Sequence, residues 1–280
     1  IATSKGLFIE FGNEPWGGTC EPNCGLSDVN HNANGFNNYI NYRQWCRRLA
    51  RGFKTAPGYD STKIKLLYSA RNPHPGDSYG LTETMLQGSA TDIDRVDGIS
   101  VAGYLGGNLN YSIEIPRGES ELDYYKSGFR FMNRNLEGLK LTMDIDYQEQ
   151  KKQRPFFFYE SSMSRADYYG RLGQAIVMTD YFLSSMKLGN MLPAIFVLQG
   201  GQWAISSFEG DKFAFYTIAQ HINTLTKGNI LATTSTSVEK VLDESGNQIS
   251  GLEPVSINAY HENGNYKLVL LSRDFASDYN

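Results

Sequence analysis

Over roughly its first 228 residues the chain alternates short apolar runs with amphipathic stretches, and this limits the folds open to it more than any other feature. The apolar runs read as strands at 7–11, 63–69, 97–104, 154–160 and 194–198. Helical periodicity follows each of them, at 39–55, 81–95, 122–136 (with a helical or mixed polar continuation to 152), 165–188 and 213–225. In the first helix Ile40, Trp45 and Leu49 fall near one face, and Arg43, Arg47, Arg48 and Arg51 read as a solvated face. Strand–helix units in this order predict a parallel sheet covered by helices. An open doubly wound sheet commonly carries a glycine-rich phosphate loop after its first strand, and none is present. A closed barrel instead places function at the C-terminal ends of its strands. Beyond Gly228 the pattern changes. Runs at 230–241, 255–260 and 266–272 read as strands, with turn signals at Glu244-Ser245-Gly246-Asn247 and Glu262-Asn263-Gly264-Asn265.

The residues at the strand ends carry chemistry. The first strand runs into Gly12-Asn13-Glu14-Pro15-Trp16, which sets an amide, an acid and an aromatic ring at one point. Sugar chemistry uses all three, although a lone Asn-Glu also fits a turn with a solvated acid. A second carboxylate in a matching place changes the reading. Phe156-Phe157-Phe158-Tyr159 predicts a strand buried on both faces, and it ends in Glu160. Tyr104 closes the third strand, and Trp203 follows the fifth. Glycoside hydrolysis needs two carboxyl groups flanking the scissile bond, and retaining enzymes hold them about 5–5.5 Å apart.

These residues resemble the clan of retaining (β/α)8 glycoside hydrolases that includes α-L-arabinofuranosidases, β-xylosidases and heparanase-type β-glucuronidases. In that clan the fourth strand ends in Asn-Glu, matched by Gly12-Asn13-Glu14-Pro15, and the seventh ends in a Glu, matched by Phe158-Tyr159-Glu160. The stretch 97–104 is similar to the sixth strand, with Ala102 where several families have a His. The resemblance implies an α/β fold, a TIM-type barrel of which strands four to eight lie in residues 1–227. Part of a β-sandwich would follow in 228–280. It implies Glu14 as acid/base and Glu160 as nucleophile. Asn13, Trp16, Tyr104 and Trp203 would contact a polysaccharide or glycoconjugate substrate, and neither metal nor organic cofactor is implied. It also leaves too little chain before Glu14 for three earlier strand–helix units. A preceding segment or a separate chain is therefore expected to complete the barrel.

Composition sets the remaining limits. A net charge of −4 argues against nucleic acid as the main partner, since phosphate binding wants a basic face. No apolar run of about 18 residues predicts a membrane span. Cys20 and Cys24 lack the two-residue spacing of zinc sites, and a disulfide, local or to Cys46, is the favoured reading. Together with the sequon Asn110-Tyr111-Ser112, this suggests a secreted or extracellular protein. The alternative function is a barrel without turnover, serving as a structural or carbohydrate-binding component of an extracellular assembly.

Overall fold

A computed structural model describes residues 6–12, 36–70, 93–105, 120–150, 154–163, 170–189, 191–194, 199 and 205–274. The strands are β1 (Leu7–Phe11), β2 (Ile64–Ala70), β3 (Gly98–Ala102), β4 (Phe156–Glu160) and β5 (Met191–Pro193), then β6 (Asn229–Leu231), β7 (Val255–Glu262) and β8 (Asn265–Ser272). The helices are α1 (Phe36–Thr55), α2 (Glu121–Gln150), α3 (Leu172–Lys187) and α4 (Ala214–Leu225). β1 to β5 form one sheet in sequential order, and β6 to β8 form a second. Sequential order without a reversal is that of a barrel, since a doubly wound sheet changes direction at a switch point. The chain divides into two compact units. One comprises Ile1–Gly103, Glu137–Tyr159 and Asn190–Leu192, and the other Tyr104–Leu136, Glu160–Gly189 and Pro193–Asn280.

In the first unit β1 pairs parallel with β2 and β2 parallel with β3, in the registers Leu7↔Ile64 and Leu67↔Gly98. The next strand follows closely, with Ile99 donating its N–H to the Pro155 carbonyl at 3.1 Å. Gly98 permits this approach, because a Cβ there would lie 2.5 Å from that carbonyl oxygen. Phe156, Phe157 and Phe158 are all buried, as expected of a strand covered on both faces. The Phe8 and Phe157 rings sit 4.6 Å apart although β2 and β3 lie between their strands. In a flat sheet three strand spacings would separate their backbones by about 14 Å. The contact therefore requires a sheet curved toward its Phe8 face. The opposite face of β1 meets α1, where Phe11 stacks on Phe53 at 5.9 Å and meets Trp45 edge-on at 6.3 Å. Cys46 and Ala50 of α1 are fully buried, and Trp45 is half-buried. Arg51 is not merely solvated: its guanidinium forms a fork with Asp94 at 2.6 and 2.7 Å.

In the second unit β7 alternates, burying Ser256, Asn258 and Tyr260. Tyr260 and Val269 pack with Leu183 of α3, flanked by Met186, Ile222 and Leu271. The hairpin between β7 and β8 turns at Asn263 and Gly264, both with positive φ (50° and 80°), as the Asn-Gly pair predicts. At the open end of this hairpin Arg273 donates to Asp180 at 2.6 and 3.1 Å and to the Glu253 carbonyl at 3.0 Å. Asp180 is fully buried and Arg273 is nearly so.

Several boundaries differ from the sequence reading. α2 is one 30-residue helix rather than a helix with a mixed continuation. Residues 93–95 form a turn where helix was expected, and 71–92 lie outside the described residues. β5 occupies Met191–Pro193, upstream of the expected strand, whose residues 195–198 are not described. β6 stops at Leu231 instead of running to Val241. There hydroxyls replace the ladder: Thr233 Oγ1 donates to the Ile257 carbonyl at 2.7 Å and Ser235 Oγ to that of Val255 at 3.3 Å.

The buried ion pair yields a stability prediction. Arg273→Met leaves Asp180 buried without its counter-charge and is expected to cost about 3–5 kcal/mol. Urea unfolding would measure it, and a loss below about 1 kcal/mol would show that Asp180 finds another partner or takes up a proton at little cost.

Candidate active site

Two of the six residues named from sequence as site residues fall within the described structure. Glu160 ends β4 and is buried. Tyr104 lies two residues beyond β3 and is half-buried. Asn13, Glu14, Trp16 and Trp203 lie outside the described residues, as do Cys20 and Cys24. The chain segments that carry Glu160 and Tyr104 are tied together: Leu105 donates its N–H to the Ser162 carbonyl at 2.9 Å. Among the described residues no group of His, Cys, Asp and Glu side chains has the arrangement of a metal site, and no helix is long and apolar enough to cross a membrane.

The chain that follows Glu160 is held at three successive residues, by a side chain at the first and by the backbone carbonyl at the next two. Ser161 Oγ donates to the Ala194 carbonyl at 2.5 Å. The Ser162 carbonyl accepts from Leu105. The Met163 carbonyl accepts from the Tyr124 hydroxyl of α2 at 3.3 Å and from the Gln174 amide of α3. Ser161, Ser162, Met163, Tyr124 and Gln174 are all buried. Two glycines let the helices close over this segment. A Cβ on Gly128 would strike the Met163 side chain, and one on Gly173 would strike the Tyr125 ring. The backbone at Tyr104 is fixed in a similar way. Asn135 of α2, also buried, donates to its carbonyl at 3.1 Å and to the Tyr181 hydroxyl of α3 at 3.3 Å. Burial pushes the Tyr181 phenol far up, so it stays a neutral hydroxyl, and the Asn135 bond offsets this only in part.

Sequence reasoning missed Asn135, Gln174 and Tyr124. Their signal was a buried-type position occupied by an amide or phenol within a helix otherwise apolar on that side. It also passed over Glu10, on the strand that leads to Glu14. Burial raises the Glu10 carboxyl above its ordinary range, and hydrogen bonds with Ser100 and Ser69 pull the other way. Ser100 Oγ lies 2.5 Å from Glu10 Oε1 and 2.8 Å from the Tyr68 carbonyl oxygen. One hydroxyl has one proton and cannot donate to both. The chain is satisfied when Glu10 carries a proton toward Ser100, which then donates to Tyr68.

Against known proteins, no protein-family model matches the sequence, and neither does any curated protein. Solved structures do match. A GH51 arabinofuranosidase from Xanthomonas axonopodis pv. citri aligns with 97% of this chain at a TM-score of 0.62 and 17% identity. An α-L-arabinofuranosidase from Thermotoga maritima covers 95% at 0.60 and 17%. AbfB, a family 51 α-L-arabinofuranosidase from Bifidobacterium longum, covers 84% at 0.61 and 12%. The chain spans about half the length of each, 52%, 51% and 50% respectively. These likenesses show the fold alone: β1 to β5 and their helices are part of an α/β barrel.

The Glu10 geometry gives a pH prediction. Burial raises the Glu10 carboxyl in the folded chain, so between the ordinary carboxylate range and the raised value the folded chain binds a proton there that the unfolded chain releases, and this group's contribution is full at acid pH. It is lost as pH rises from the ordinary carboxylate range through the raised value. Glu10→Gln keeps a donor toward Ser100 and removes the titration. Urea midpoints measured across pH are expected to fall less steeply for the variant than for the parent. Parallel profiles would mean that Glu10 is ionised in the folded state.

Proposed function

We propose that this chain forms part of a retaining glycoside hydrolase acting on a polysaccharide or glycoconjugate, in a secreted or extracellular setting. The observation that carries the reading is Glu160: a buried carboxyl group ending a strand of a barrel-type sheet, with the chain after it held through the Ser161 side chain and the Ser162 and Met163 carbonyls. A nucleophilic carboxylate must meet its target at a fixed angle, and a pinned main chain supplies that rigidity. The arabinofuranosidase fold of the solved neighbours supports the same class. In this mechanism a Glu160 oxygen forms a bond to the anomeric carbon as the glycosidic C–O bond breaks. Glu14 gives its proton to the leaving oxygen. Glu14 then takes a proton from water, whose oxygen displaces Glu160 and regenerates both groups. Asn13, Trp16, Tyr104 and Trp203 are the residues assigned to sugar hydroxyls and rings. The two carboxyl groups are expected about 5–5.5 Å apart.

A panel of aryl glycosides, beginning with the α-L-arabinofuranoside, tests the assignment in the full-length protein. Glu160→Ala is expected to abolish turnover, with azide restoring it as a glycosyl azide of inverted configuration. Glu14→Ala is expected to spare good leaving groups more than poor ones, since acid assistance matters less there. Full activity of both variants would overturn the pair. Binding without turnover by the parent protein would favour the non-catalytic barrel.

The sheet also bears on what completes the barrel. Among the described residues β1 lies at the sheet edge, and Leu7 and Phe8 are exposed. An exposed apolar edge strand invites a further strand, and we assign it one supplied by a separate segment or chain. Hydrogen exchange checks this: the β1 amides not bonded to β2 are expected to be protected in the full-length protein and exposed in residues 1–280 alone. Equal exchange in both would refute a covering strand.

A further inference from the structure

We infer that Gln174 is a positioning residue for Glu160, acting through the backbone that follows it; the inference rests on the glycosidase reading above. Gln174 lies in the first turn of α3 and is buried. Its amide is used at both ends. The oxygen accepts the Gly170 N–H at 2.7 Å, and the nitrogen donates to the Met163 carbonyl. One side chain therefore joins the residue three places after Glu160 to the residue that precedes the N-cap Arg171 of α3. Gly170 has a φ of 77°, and Arg171 offers no side-chain cap to the helix. The entry to α3 thus depends on the Gln174 amide instead of a capping hydroxyl.

The chemistry at each end is specific. Only a side chain with both an acceptor and a donor at this position satisfies Gly170 and Met163 together. Asn lacks the reach, Leu supplies neither group, and an ionised Glu accepts from Gly170 but turns a negative oxygen toward the Met163 carbonyl. Tyr124 also donates to that carbonyl, at 3.3 Å, which is long for an O–H···O bond, so Gln174 is the main restraint there. The end of the Met163 side chain lies close against Gly128, where there is no room for a Cβ, and Met163 is fully buried. Displacement of a reacting group by about 1 Å costs on the order of 100-fold in rate.

The test uses the full-length protein and the aryl glycoside that the parent cleaves. Gln174→Leu is expected to lower kcat at least tenfold with KM changed by less than about threefold, because the substrate contacts remain while the nucleophile is misplaced. Gln174→Glu adds a readout that a merely structural role would not produce. Protonated, its carboxyl group accepts from Gly170 and donates to Met163 as the amide does. Ionised, it loses the donor. Its kcat is therefore expected to approach that of the parent at acid pH and to fall along a new limb as pH rises, while the parent shows no such limb. A parent-like pH profile for Gln174→Glu, or kcat per folded molecule unchanged in Gln174→Leu, overturns the positioning role. If Gln174→Leu does not fold, the Gln174→Glu profile decides alone. Failure of the underlying reading is distinct: it shows as no turnover of any aryl glycoside by the parent, or as full activity in Glu160→Ala, whatever the Gln174 variants do.

Discussion

Phe8 and Phe157 touch across a sheet in which two other strands separate them, and much else follows from that contact. Rings this large reach each other only if the sheet bends, and a bent parallel sheet has an inside and an outside. On β1 the inside takes Phe8 and Glu10, and the outside takes Phe11 with its partners on α1. The aromatic run of β4 makes the arrangement compulsory. Phe156 and Phe158 project to one side and Phe157 to the other. Burial of a Phe side chain contributes about 1.5–3 kcal/mol, so neither face of the strand can be left to water. The strand ends in Glu160, which is itself buried.

The parts of the fold that were legible in sequence are those set by period and by turn chemistry. The β4 run, the Asn263-Gly264 hairpin and the order of strands and helices each have a local cause. The parts that were not legible depend on distant partners. Nothing near Thr233 says that its hydroxyl will take the Ile257 carbonyl and end the β6 ladder at Leu231. The arginines of α1 looked like a solvated face because the carboxylate that meets Arg51 lies 43 residues away. For the site, Glu160 and Tyr104 could be named because strand ends are visible in the pattern. The residues that hold the chain beside them sit in helices and bond to main-chain atoms, so the sequence shows an amide or phenol at a buried-type position but not the carbonyl it meets.

Buried polar groups here divide into two kinds with different physics. Asp180 and Arg273 are charged, and each is tolerated only because the other is present and their remaining lone pairs and protons are used. Such a pair is strong when intact and severe when broken, and it belongs in a part of the structure that need not adjust. Asn135, Gln174, Tyr124 and Tyr181 are neutral. A neutral amide costs less to bury than an ion, and it fixes two backbone atoms with no long-range field.

That distinction matters beside Glu160. A fixed charge within a few ångströms would shift the affinity of a carboxylate for its proton, whichever sign the charge had. A retaining mechanism needs that carboxylate ionised and nucleophilic, while its partner must carry a proton. In the proposed mechanism, the neutral amide and phenol that hold the Met163 carbonyl restrain the chain after Glu160 without adding a charge of their own. Glu10 extends the same logic. Left ionised, it would place a permanent negative charge on the strand that leads to Glu14 and favour the protonated form of nearby acids. Burial favours its protonated form, and its contact with Ser100 joins β1 to β3 across β2.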